Sequence, residues 1–188
     1  MTVPTYEEVM QLTDTVSNFH LLQLDECQAM YDALVSLPDG ATVVEIGCDL
    51  GRSSSMISQV ALAKHFLTIH VDPWQDEPEK AVFWMGMMCE QIAYRPFIVL
   101  RGKTEEMAWA IWRLTDGGID LAFIDGCHDE AVVVRDLKIV AERVKQGGLL
   151  TAHDYPSAGV SEAIDGYIAR GGWMKEKQAG GFGVWRKL

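Results

Sequence analysis

The sequence is poor in basic charge: 16 Lys and Arg stand against 27 Asp and Glu, giving a formal net charge of −11 at pH 7. A nucleic-acid binder needs a basic footprint to gain from counterion release. Here the richest basic pairs, Arg135/Lys138, Arg143/Lys145 and Lys175/Lys177, are interspersed with acids, so no nucleic-acid partner is expected. No apolar run reaches the roughly 18 residues of a membrane-spanning helix, and no membrane partner is expected either. The opening MTVPTYEEVMQ is polar and acidic, without a signal-peptide layout, which makes a cytoplasmic protein the expectation. Cysteine is sparse. Cys27, Cys48, Cys89 and Cys127 are scattered with no Cys-x-x-Cys pair, which excludes a zinc ribbon and leaves no disulfide framework.

Two common nucleotide loops are also missing. Counted from Gly47, the further glycines of a dinucleotide fingerprint would fall at Asp49 and Arg52, and a carboxylate at 49 would repel a pyrophosphate. A P-loop needs four residues between its glycines followed by Lys-Ser/Thr, whereas three separate Gly47 from Gly51 and Arg52 follows.

What is present is VVEIGCDLGRSS at 43–54, an apolar strand ending in Glu45 and passing through Gly47-x-x-x-Gly51 into the start of a helix. Glycines let such a turn bend sharply and approach a ligand with no Cβ in the way. The helix start offers unpaired N–H groups. With Glu45 and Asp49 at its mouth the loop suits a cationic small molecule.

Beyond about residue 40, strand and helix patterns alternate, as in an α/β fold with a mostly parallel, doubly wound sheet. Near-continuous apolar runs predict strands at about 42–47, 66–71, 97–101, 119–125 and 148–153, with helices at about 52–64, 78–93, 104–115 and 129–145. Gly147-Gly148 ends the last of these helices and turns the chain into the fifth strand. SEAIDGYIAR gives one more helix, and the tail from Trp173 reads as an antiparallel hairpin around Gly180-Gly181, with Trp173, Phe182 and Trp185 as core anchors. At 188 residues the chain reads as a single domain: residues 1–39 form a helical cover and 40–188 the core.

These motifs resemble the class I S-adenosylmethionine-dependent methyltransferases over roughly residues 40–170. Glu45-x-Gly47-x-x-x-Gly51 is similar to their first motif, Asp72 in HVDPW to their ribose-binding acid, and FIDGCH with GGLLTAHDY to a small O-methyltransferase-like branch. The resemblance implies a Rossmann-like sheet of about seven strands closed by a C-terminal antiparallel hairpin. It also implies S-adenosyl-L-methionine as cofactor and a small-molecule acceptor, with O-methylation favoured. Glu45, Gly47 and Gly51 would hold the methionine end and Asp72 the ribose. Gly102 and Thr104 would approach the adenine, with Asp125 on the neighbouring strand end. Thr104 also reads as the N-cap of the next helix, and Trp74 equally as a flank for the adenine or a core aromatic.

Asp125, His128, His153 and Asp154 lie on two strand ends expected to be adjacent. An oxygen acceptor must lose its proton, and His128 or His153 is a candidate base, with Asp154 beside it. Related catechol-type and macrolide-sugar O-methyltransferases hold magnesium at these strand ends, so a divalent metal on Asp125 and Asp154 is a second option. This chain departs from that pattern by carrying His153 where an acid is usual. That disfavours magnesium, whereas manganese, iron or zinc would tolerate an imidazole. Two rival readings stand beside this one: a non-catalytic cofactor-binding module, and a nicotinamide-dependent oxidoreductase, for which a Tyr-x-x-x-Lys pair is lacking. Aromatics expected at the hairpin surface suggest a homodimer.

Overall fold

The computed structural model describes residues 2–16, 22–75, 77–91 and 97–188. Two helices, α1 (Tyr6–Val16) and α2 (Leu24–Ser36), precede β1 (Thr42–Ile46). Then follow α3 (Arg52–Lys64), β2 (Leu67–Asp72), α4 (Pro78–Gln91), β3 (Phe97–Arg101), α5 (Thr104–Leu114), β4 (Ile119–Ile124) and α6 (Glu130–Val140). A 3₁₀ turn at Ala141–Arg143 leads into β5 (Val144–Ala152), and α7 (Ala158–Ile168), β6 (Trp173–Ala179) and β7 (Phe182–Lys187) complete the chain.

The seven strands form one sheet in the order β3-β2-β1-β4-β5-β7-β6. β1 to β5 are parallel, and β7 pairs antiparallel with both β5 and β6. This is the Rossmann-like, hairpin-closed sheet that the motifs imply. Strand residues alternate between faces, and both faces are apolar. Val43, Leu121, Phe123 and Leu149 pack with α1, α2 and α3, while Val44, Ala122, Ile124 and Leu150 pack with α5, α6 and α7. Strands buried on both sides therefore read as unbroken apolar runs.

The expected boundaries need three corrections. The helix expected at 129–145 stops at Val140, and β5 begins at Val144, not 148. Gly147 and Gly148 lie within the strand, where pairing jumps from Ile119↔Val144 to Leu121↔Leu149. Gly147 takes φ +79°, and a Cβ on Gly148 would lie 2.8 Å from Val144 Cγ1. The pair thus makes a bulge in the strand. Lys103, not Thr104, caps α5, its N–H donating to Glu106 Oε2 at 2.9 Å. The hairpin forms around Gly180-Gly181 as expected, with Phe182 and Trp185 fully buried as core anchors and Trp173 half-buried. The expected aromatic dimer surface is therefore missing from the hairpin, and the exposed tryptophans are Trp109 and Trp112 on α5. Residues 92–93 of the helix expected at 78–93 and the Cys89 side chain lie outside the described residues.

Candidate active site

In this strand order the chain leaves β1 on one side for β2 and on the other for β4, so a crevice opens beyond their carboxyl ends. A cavity of about 480 Å³ occupies it, within the range of small-molecule sites. The loop after β1 contributes Gly47 and Asp49, the end of β2 Asp72 with Trp74 beyond it, and the loop after β3 Gly102, with Thr104 at the start of α5. Asp125 and Gly126 after β4, with Val132 and Asp136 on α6, close the other side.

Gly47 is where the first loop crosses the fourth. Its φ is +87°, and a Cβ there would lie 2.2 Å from the Asp125 carbonyl oxygen. Asp72 ties the same loop down. Its Oδ2 accepts from Cys48 N–H at 2.8 Å and Asp49 N–H at 3.1 Å, and its Oδ1 from Trp74 N–H at 2.7 Å. A carboxylate has about four acceptor positions, so Oδ1 keeps one toward the cavity. Trp74 lines the cavity and is also a core aromatic: it donates from Nε1 to the Asp49 carbonyl at 3.0 Å and packs on Trp84.

Glu45 and Gly51 do not line the cavity. Glu45 is fully buried behind the loop, where Ser53 donates to Oε1 at 2.5 Å and Ser54 to Oε2 at 2.6 Å. His70 Nδ1 lies 2.6 Å from Oε2, and Trp84 Nε1 donates to Ser54 Oγ at 2.8 Å. The motif acid therefore anchors the first turn of α3 to the sheet. Gly51 is the cap of that helix in the left-handed conformation.

His153, Asp154 and His128 stand beside the cavity and reach it through Asp125. His153 Nδ1 lies 3.1 Å from Asp125 Oδ1 and 3.2 Å from Asp154 Oδ2, and its Nε2 lies 3.2 Å from Glu26 Oε2. Burial pulls the His153 pKa down, but Asp125, Asp154 and Glu26 outweigh it and push it up to about 9, so His153 is an imidazolium at neutral pH. Burial in turn raises the Asp125 carboxyl, with His153 opposing. His128 is over half exposed, with Nε2 3.0 Å from Asp154 Oδ2.

Two groups of side chains could be weighed as metal sites among the described residues. Glu45, Cys48 and His70 do not fit one, because Glu45 already accepts from two hydroxyls and burial holds the Cys48 thiol well above its ordinary value. Asp125, His128 and Asp154 do fit: they bring three donor atoms within 4.8 Å of one another. One imidazole with two carboxylates suits manganese, iron or zinc better than magnesium.

Two site residues escape sequence reasoning. Glu26 comes from α2, is 4% exposed, and accepts from Gly181 N–H at 2.6 Å while facing His153. No local pattern announces a partner so distant in the chain. Asp136 did leave a trace, since it falls among Val133, Leu137 and Val140 on the buried stripe of α6. Burial raises its carboxyl to about 6 against an ordinary 3.8, with Thr104 opposing through a hydrogen bond. An acid whose pKa rises on folding costs stability once the pH exceeds its unfolded value, and the full cost is reached above the folded one. Asp136→Asn is therefore expected to stabilise the protein by roughly 1–3 kcal/mol at pH 7.5 and by almost nothing near pH 4. Urea unfolding at both values checks this, and an equal effect at both would refute it.

A comparison with curated proteins found no match. Several solved structures share the fold. The TDP-rhamnose 3′-O-methyltransferase CalS11 of calicheamicin biosynthesis superposes with a TM-score of 0.69 at 12% identity, covering 99% of this chain and 96% of its own. The O-methyltransferase TomG from Streptomyces achromogenes, solved with S-adenosylmethionine, gives 0.65 at 13% identity over 100% and 92%. The Podospora anserina methyltransferase PaMTH1 gives 0.69 at 11% identity over 99% and 89%. The family model of a methyltransferase domain matches residues 44–155, more than half of the sequence, and the chain belongs to that family.

Proposed function

We propose that the protein is an S-adenosylmethionine-dependent methyltransferase acting on an oxygen of a small-molecule acceptor. The observation that carries this reading is the single cavity in which the Gly47 turn, Asp72 and Asp125 meet, with the histidine–carboxylate corner immediately behind. The cofactor, when bound, supplies an electrophilic methyl group on a sulfonium. Gly47 brings bare backbone to the methionine end, and the open position of Asp72 Oδ1 accepts from a ribose hydroxyl. Gly102 and Thr104 border the base. Glu45 and Gly51 act behind them by holding the loop and the start of α3.

On the acceptor side His128 is the better base. His153 is already protonated and held by three carboxylates, so it fixes Asp125 and Asp154 in place and supports the developing charge. His128 faces solvent and takes the acceptor proton, with Asp154 orienting the ring and stabilising its cationic form. The Asp125, His128 and Asp154 donors support a second reading in which a divalent ion, when bound, lowers the acceptor pKa as a Lewis acid. Undiminished turnover after exhaustive chelation would remove it.

Calorimetric titration with S-adenosylhomocysteine, with NAD as control, tests the assignment. Binding in roughly the micromolar range to the first and none to the second is expected; the reverse would favour an oxidoreductase. Cofactor binding without turnover on any acceptor would favour a non-catalytic module. Asp72→Ala is expected to weaken S-adenosylhomocysteine at least roughly a hundredfold, by removing both a ligand contact and the pin on the glycine loop. Unchanged affinity in that variant would sink the assignment.

A further inference from the structure

Asp136 is a buried acid in the cavity wall for which the reading above has no task. Asp136 is only 2% exposed, yet it forms part of the wall. Its Oδ1 has no hydrogen-bond partner among the described residues. A buried polar atom left unpaired carries its full desolvation cost, so the free protein keeps an uncompensated acceptor in a residue of the cavity wall. Its surroundings suit a flat ring. Gly126 presents bare backbone, and a Cβ there would already stand 3.8 Å from Asp136 Oδ2. Val132 adds an apolar edge and Thr104 a hydroxyl. The charged groups around it are Glu105 on α5 and Arg135 on its own helix, with Lys103 and Asp125 on the adjoining loops.

Resting on the methyltransferase reading, we propose that Asp136 recognises the adenine of the cofactor as a neutral carboxylic acid. One oxygen accepts from the exocyclic amine, and the O–H donates to the adjacent ring nitrogen. Adenine places a donor and an acceptor side by side, and an un-ionised carboxyl presents the complementary pair where a carboxylate presents acceptors alone. Burial favours that neutral form, and a base seated on the carboxyl removes the remaining water and favours it further. An asparagine amide offers the same donor and acceptor without titrating.

The test is S-adenosylhomocysteine affinity of wild type, Asp136→Asn and Asp136→Ala at pH 6 and pH 8, with folding of each variant followed by thermal unfolding. Wild type is expected to lose about tenfold relative to Asp136→Asn over that range, because its donor ionises while the amide persists. Asp136→Ala is expected to bind roughly ten- to a hundredfold more weakly than Asp136→Asn at both. An analogue of the same ligand lacking the 6-amino group should bind wild type more weakly than the parent, and should bind Asp136→Ala as well as the parent does. Equal affinities across the three proteins would overturn the inference, as would an amino-group effect that survives in Asp136→Ala. Failure of wild type to bind S-adenosylhomocysteine at either pH would instead overturn the function reading, and this assignment with it.

Discussion

Replacing Gly47 with alanine is expected to abolish measurable binding of S-adenosylhomocysteine and to cost at least about 3 kcal/mol of folding stability. The added Cβ would lie 2.2 Å from the Asp125 carbonyl oxygen, 2.5 Å from its carbon and 2.8 Å from Gly126 Cα. All three are backbone atoms, so no rotamer change relieves the clash. The ends of β1 and β4 must separate, breaking the Asp125 N–H to Ile46 carbonyl hydrogen bond of 2.8 Å and opening the cavity floor. Gly40→Ala is the control. Gly40 has a similar φ of +77° but nothing within 4 Å of a built Cβ. It should lose only the left-handed penalty of about 1–2 kcal/mol and keep its ligand affinity. Urea unfolding and calorimetry on both variants separate the steric effect from the conformational one, and indistinguishable behaviour would refute the close-approach argument.

The second large effect is on stability. Glu45→Ala strands the Ser53 and Ser54 hydroxyls and His70 Nδ1 in a fully buried pocket. Removing one member of a buried charged network typically costs about 3–5 kcal/mol, because the groups left behind stay desolvated. Glu45→Gln keeps the volume and one acceptor and should lose less. Cofactor affinity per folded molecule is expected to fall with the loss of order in the first turn of α3, since Glu45 does not line the cavity. A loss below about 1 kcal/mol on chemical denaturation would show the network to be dispensable.

What the linear sequence disclosed follows from how far apart the cooperating residues are. Asp72 ends an apolar strand, Gly47 and Gly102 each follow one directly, and the hairpin announced itself by Gly180-Gly181 between two strand patterns. Both signals are local. Glu45 illustrates the opposite case: the motif marks the acid, but its partners are Ser53 and Ser54 on α3 and His70 on β2, with Trp84 of α4 bonded to Ser54 behind them. Only their convergence shows that it faces the helix and not the cavity. The early start of β5 was hidden because Gly147-Gly148 punctuates a strand bulge as readily as a helix end. Asp136 was overlooked for a different reason, since an acid between Val133 and Leu137 looks like an imperfection in an apolar stripe until the cavity behind it is seen.

Glu26 has a consequence for how the molecule is made. Its carboxylate accepts from Gly181 N–H across 155 residues of sequence and faces His153 across 127. Lys177 joins β6 to α2 in the same way, donating to Asp32 at 2.8 Å. α2 is made before β6 and β7, which supply these two fastenings, so it gains them only once that hairpin has been made. Contacts of such separation are slow to form, because the loop-closure cost is met before any contact rewards it. Assembly of the histidine corner is thereby deferred until the hairpin is made, and a chain cut short before Gly181 lacks the donor that secures Glu26.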